Sequence, residues 1–110
     1  MPPAPRDRLH GTLDALVLKT LSWGPRHGYA ITRWIAETSG DEIRIEEGSL
    51  YPALYRLERQ GLISARWGTS ELGRRARFYD LTPAGRRQLA AEVEGFRRFV
   101  AAVGPILLQS

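Results

Sequence analysis

A mainly α fold with one small β-hairpin is what this sequence predicts, and three observations carry the prediction. Apolar residues recur at helical spacing in four stretches. Glycine, alone or beside proline or serine, ends each of the first three stretches at Gly24-Pro25, Ser39-Gly40 and Gly61. Only residues 62 to 81 switch to strict alternation, and they do so on either side of a polar loop.

Each element has its own signal. In "GTLDALVLKTLSWGP", Thr12 reads as a cap, Leu13, Leu16, Val17, Thr20 and Leu21 form the stripe, and Gly24 with Pro25 ends the first helix. "HGYAITRWIAETSG" follows at once, with Ala30, Ile31, Trp34 and Ile35 on one side and His27 opening the helix in a structural role. The third helix is "EEGSLYPALYRLERQG", residues 46 to 61. Past Gly61, "LISARWG" sets Ile63, Ala65 and Trp67 against Ser64 and Arg66. "RARFYDL" alternates again after a polar loop at residues 69 to 74, so the two strands make a hairpin. Thr82 then caps, and Pro83 opens, a long final helix. The expected organisation is a tail at 1–8, a body at 9–81, and a final helix with its own tail at 82–110.

With 110 residues the chain is one domain, small enough that burial against a partner would add noticeably to its stability. There is no cysteine, which excludes disulfides and thiolate metal sites and agrees with a reducing cytosol. No apolar run approaches the roughly 18 residues of a membrane span, and "MPPAPRDR" lacks the apolar stretch of a signal peptide. A soluble, cytoplasmic protein without membrane attachment is expected.

Charge is distributed unevenly. Residues 1 to 43 balance five bases against five acids, and residues 88 to 110 balance Arg97 and Arg98 against Glu92 and Glu94. The whole net charge of +4 therefore lies in residues 44 to 87, where nine arginines face Glu46, Glu47, Glu58, Glu71 and Asp80. A polyanion would dock there. Lys19 is the only lysine among 16 bases, and the planar arginine fork suits phosphate and guanine edges.

Three short helices followed by a hairpin is the layout of a winged helix-turn-helix, in which the third helix enters the major groove and the hairpin flanks it. At about 100° per residue, Leu54 and Leu57 fall within about 40° of Leu50, and these three make the inward stripe. Pro52, Tyr55, Arg56 and Arg59 fall on the far side, while Ser49 and Tyr51 flank the first turn. With Ser49 as cap, Pro52 would sit where the helix has no amide partner to lose. The competing reading makes Tyr51 and Tyr55 filling for a core margin and the arginines a solvated face.

The blocks "GTLDALVLKTLSWGPRHGYAI", "EEGSLYPALYRLERQGLI" and "RRARFYDLTPAGRRQL" resemble the signature of the PadR family of bacterial transcriptional regulators. The resemblance runs from about Leu9 to Leu89, and the single final helix is similar to the shorter branch of that family. It implies a homodimeric winged-helix protein that binds double-stranded DNA, usually as a repressor, and in some members is released by a small molecule or a stress signal; the two-fold symmetry of such a dimer then calls for an inverted-repeat operator. Carried onto this chain, the DNA-contacting blocks fall on Tyr29, on Ser49, Tyr51, Pro52 and Tyr55, and on the basic wing. The wheel adds Arg56 and Arg59. At the wing tip Arg74, Arg75 and Arg77 outnumber the nearby Glu71. For Tyr29, a ring packed beside Trp34 stays as open as a phosphate contact.

In the final helix Leu89, Val93, Phe96, Val100, Val103 and Leu107 step by four and three, a heptad seam. Its first half fits its own core. Its distal part, with Phe99 beside it, fits a second copy of the chain. Gly104 and Pro105 are expected to interrupt it. An enzyme fares badly, since His10 and His27 are the only histidines and no nucleophile, base or metal spacing accompanies them. No metal or cofactor is expected. Trp23, Trp34 and Trp67 read as core fillers, and no effector can be named. A winged helix that docks protein without specific DNA binding stays open as the alternative.

Overall fold

The computed structural model describes residues 5–110, with side chains from Gly11 onward. In chain order the elements are α1 (Pro5–Leu21), β1 (Arg26–His27), α2 (Gly28–Thr38), α3 (Glu47–Arg59), β2 (Ile63–Thr69), β3 (Arg75–Leu81) and α4 (Pro83–Leu107). The four helices and the hairpin fall where periodicity placed them. A third strand was not foreseen: two residues, Arg26 and His27, pair with Tyr79 and Phe78 and complete an antiparallel sheet of order β1-β3-β2. Two residues are too few to show alternation, and only the β3 edge beside them reveals their pairing.

The core lies between the helices and the inner face of this sheet. Val17, Leu18 and Leu21 of α1, Ile31 and Ile35 of α2, Leu50, Leu54 and Leu57 of α3, and Ile63, Tyr79 and Leu81 of the sheet are buried together. Thr20 joins them because its hydroxyl donates to the Leu16 carbonyl at 2.9 Å, so no buried polar group is left without a partner there.

Helix boundaries correct the sequence reading in three places. Helix α1 begins at Pro5, so Thr12 lies inside it rather than at its start, and Pro5–Arg8 are helical where a tail was expected. The first four residues of that tail lie outside the described residues. Helix α3 begins at Glu47 with Glu46 as its cap, and Ser49 is its third residue, its amide donating to the Glu46 carbonyl at 2.9 Å. Pro52 is consequently inside the helix rather than at its start, and the Gly48 carbonyl loses the amide it would otherwise accept from. Helix α4 continues through Gly104 and Pro105 to Leu107, and the Leu108 amide closes its end on the Gly104 carbonyl at 2.9 Å. The ladder bond that Pro105 cannot donate is not enough to stop the helix short of Leu107.

One junction fixes the wing and α4 against α3. Gly61, at φ 73°, leaves α3 in the left-handed region, so that its amide reaches the Glu58 carbonyl and the Leu62 amide the Leu57 carbonyl, both at 3.0 Å. Thr82 then donates its hydroxyl to the Gly61 carbonyl at 2.7 Å, and the same oxygen accepts from the Gly85 amide at 3.0 Å, capping α4 as expected. This brings Gly85 so close that a Cβ there would overlap the Leu62 carbonyl oxygen and press on Leu81 Cδ2 at 2.8 Å. A backbone carbonyl cannot swing away as a side chain can. Gly85→Ala is expected to cost about 1 to 3 kcal/mol in chemical denaturation, the range for overpacking a filled site. A variant as stable as the parent would show that this junction can open.

Candidate nucleic-acid interface

The inward stripe of α3 determines which of its residues remain outside. With Leu50, Ala53, Leu54 and Leu57 buried, Tyr51, Pro52, Tyr55 and Arg59 form one exposed edge, and Tyr55 is 62 % exposed. The core-filling reading of that tyrosine does not hold. Arg59 lies over its ring at 5.6 Å, an arrangement that keeps the guanidinium on the exposed edge. Tyr51 is the better anchored of the two tyrosines. Its phenol packs against Gly28 at the start of α2, where a Cβ would meet the hydroxyl at 2.7 Å, so a larger residue there would push the ring aside.

The start of α2 adds a second exposed aromatic. His27 accepts the Ala30 amide on Nδ1 at 3.2 Å and so caps the helix, the structural role expected of it. Tyr29 stacks on that imidazole at 6.5 Å and is 68 % exposed, not packed beside Trp34. Tyr29, Tyr51 and Tyr55 therefore all present much of their rings to solvent, from the start of α2 and from α3.

Two of the sequence-predicted arginines are committed elsewhere. Arg56 turns to α1, where Nη2 donates to Asp14 Oδ1 at 3.0 Å with both side chains largely covered. Arg77 turns to α3, where Nη2 donates to Glu58 Oε2 at 3.0 Å. The wheel could not reveal either pair, because both partners lie on other elements. Arg74, Arg75 and Arg59 have no carboxylate partner among the described residues. Arg75 instead lies over the Trp67 ring at 4.6 Å. That tryptophan is 60 % exposed and Trp23 is exposed too, so of the three only Trp34 packs on the core. Trp67 is an exposed residue that the alternation pattern assigned to the core: it shares the inward face of β2 with buried Ile63, but it stands beyond the covered part of that face. Burial holds the neighbouring Tyr79 phenol above its ordinary pKa, partly opposed by Arg77.

The seam on α4 divides as its position dictates. Leu89 packs on the body of its own chain, so it does not belong to a free face. Val93, Phe96, Phe99, Val100 and Leu107 are exposed, Phe96 by 66 %, while Val103 is half-covered. None of the described helices is long and apolar enough to cross a membrane.

Three packed helices, a hairpin wing behind them and an outward aromatic and basic edge on the third helix define a winged helix-turn-helix of the kind transcriptional regulators use. Residues 17–91 match the Transcriptional regulator PadR-like family, and the chain belongs to that family, whose members are regulators and not enzymes. Among solved structures it is similar to a PadR-like transcriptional regulator of Bacillus cereus, at 25% identity and TM-score 0.80 over 94% of this chain and 99% of that one. It is likewise similar to a PadR family regulator of Eggerthella lenta, at 32% identity and TM-score 0.76 over 96% and 90% of the two chains. A transcriptional regulator of Mycobacterium tuberculosis is 39% identical over 66 residues, 60% of this chain and 58% of that one.

Proposed function

We propose that the chain is a sequence-specific regulator of double-stranded DNA, acting as a homodimer on an inverted repeat and lowering transcription there. The observation that carries the reading is the exposed edge of α3: two tyrosines and an arginine stand outward on a helix whose other side is fully spent on the core. Tyr51, Tyr55 and Pro52 would face base edges near the start of the helix, with Ser49 at its flank. Arg59, Arg74 and Arg75 would hold phosphates, and Tyr29 a phosphate beside α2. Base contacts specify and phosphate contacts position. Of the residues read from the sequence, Arg56 and Arg77 are set aside as direct contacts because their guanidiniums are already engaged.

The dimer reading rests on α4. At 25 residues it is about 37 Å long, and beyond Leu89 its apolar side meets no part of its own chain large enough to cover Phe96, Phe99 and Val100. A two-fold pair of such helices would cover them and present two α3 helices to half-sites about one helical turn, or 10 base pairs, apart. A chain ending after Glu94 is expected to be monomeric yet folded, measured by light scattering and circular dichroism. A truncated chain that stayed dimeric would move the interface to α1.

Selection from a random duplex pool tests the whole reading. The enriched duplexes should share an inverted repeat with that spacing, and the repeat placed over a promoter should lower reporter transcription when the protein is present. A pool that enriches nothing would favour the alternative, a winged helix that docks protein through the same aromatic edge.

A further inference from the structure

The Glu58–Arg77 pair joins the wing to the border of the outward edge of α3. Glu58 lies seven residues after Tyr51, two turns along and about 20° away around the axis, so it borders the edge that carries Tyr51 and Tyr55. Arg77 comes from β3, opposite Trp67 in the register and on the same face as buried Tyr79 and Leu81, which aims it at α3. The two meet at 3.0 Å, and Arg77 also lies 6.0 Å over the Tyr79 ring.

We propose that this ion pair sets how far the protein prefers its operator over random DNA, by keeping Arg77 off the phosphates and the wing in register with α3. The inference rests on the DNA-binding reading above. In a partly exposed pair the attraction is modest, and a DNA phosphate can compete for the guanidinium. Transferring Arg77 to a phosphate, however, would leave the Glu58 carboxylate bare at the border of an edge facing a polyanion, and near the negative end of the helix. Gain and loss then nearly cancel, and the pair survives contact with DNA. Removing the charge of Glu58 alone breaks that balance. Arg77 becomes a free phosphate ligand, which adds affinity for any sequence, while the wing loses a contact that ties its strand to the outward edge of α3, beyond the junction at Gly61. Glu58 is thus a positioning residue for specificity although it touches no base.

The test compares wild type with Glu58→Gln on two duplexes, one selected from a random pool by the wild-type protein and one of unrelated sequence. For the unrelated duplex, the slope of log affinity against log salt should steepen by about 0.9 per protomer, or about 1.8 per dimer. Its affinity at low salt should rise severalfold while that for the selected duplex rises less, so the ratio of the two falls. Because the pair is on the surface, the thermal midpoint should move by no more than a few degrees. The double variant Glu58→Arg with Arg77→Glu rebuilds the pair in reverse and should restore the wild-type slope. An unchanged slope and ratio in Glu58→Gln, or a double variant as steep as the single one, would overturn the proposal while leaving DNA binding intact. A wild-type protein that bound neither duplex would overturn the DNA-binding reading and this inference with it.

Discussion

Raising salt from about 50 to about 200 mM is expected to weaken the complex with operator DNA by roughly 10³-fold. The figure follows from which of the five candidate contact arginines the fold leaves free. Each protomer presents Arg59, Arg74 and Arg75 without a carboxylate partner among the described residues, which gives about six phosphates per dimer and a salt slope near −5 at about 0.9 per phosphate. Had Arg56 and Arg77 been free as the sequence suggested, the same arithmetic would give about ten phosphates, a slope near −9 and a loss of roughly 10⁵-fold. The two values are far enough apart for a filter-binding or fluorescence titration at four or five salt concentrations to separate them. A slope near −9 would mean that both ion pairs open on DNA. A flat response would remove the electrostatic argument altogether. Replacing Arg74 and Arg75 together by alanine should lower affinity for operator and random DNA alike, since phosphates carry no sequence information.

What could be read from the sequence, and what could not, divides along one physical line. Periodicity reports which side of an element is apolar, and it found the stripes of α1, α2 and α3, the alternation of β2 and β3, and the cap at Thr82, because each is a property of one contiguous segment. It does not report what a segment meets. Asp14 and Arg56 are 42 residues apart and Glu58 and Arg77 are 19 apart, so their pairing exists only in the folded chain. Trp67 failed for a related reason: alternation placed it on the inward face, correctly, but could not say that the body ends before the strand does. Leu18 was missed in the opposite direction, since a narrow stripe was assumed and α1 is packed on more of its circumference. The caps misread at Thr12 and Ser49 show how a residue suited to a helix start is no signal when several stand near one another. Pro105 shows the converse, a breaker overridden by the helix around it.

Leu54→Ala and Tyr55→Ala, adjacent in sequence, are expected to fail in opposite ways. Leu54 is buried among the leucines and isoleucines of the core, and removing three of its carbons leaves a hole that α1 and the sheet cannot close, at a cost of about 2 to 5 kcal/mol. The truncated protein would melt early, but whatever remained folded would keep its outward edge and its preference for the operator. Tyr55 stands one residue further around the helix, on the solvent side, where Arg59 lies over its ring. Its removal should leave the thermal midpoint nearly unchanged, as expected for a surface change away from the core. It should nevertheless cost about 1 to 3 kcal/mol of discrimination, the scale of one good base contact. The comparison to make is each variant's melting temperature beside its ratio of operator to random-DNA affinity. An early-melting Tyr55→Ala with an intact ratio would make the tyrosine a structural residue and move the reading surface to Tyr51 and Tyr29. A Leu54→Ala that melted normally but lost the ratio would mean that the helix is positioned by its core stripe less firmly than its burial implies, because a small rotation of α3 into the space left by the leucine would misplace every residue on the opposite edge without unfolding the body.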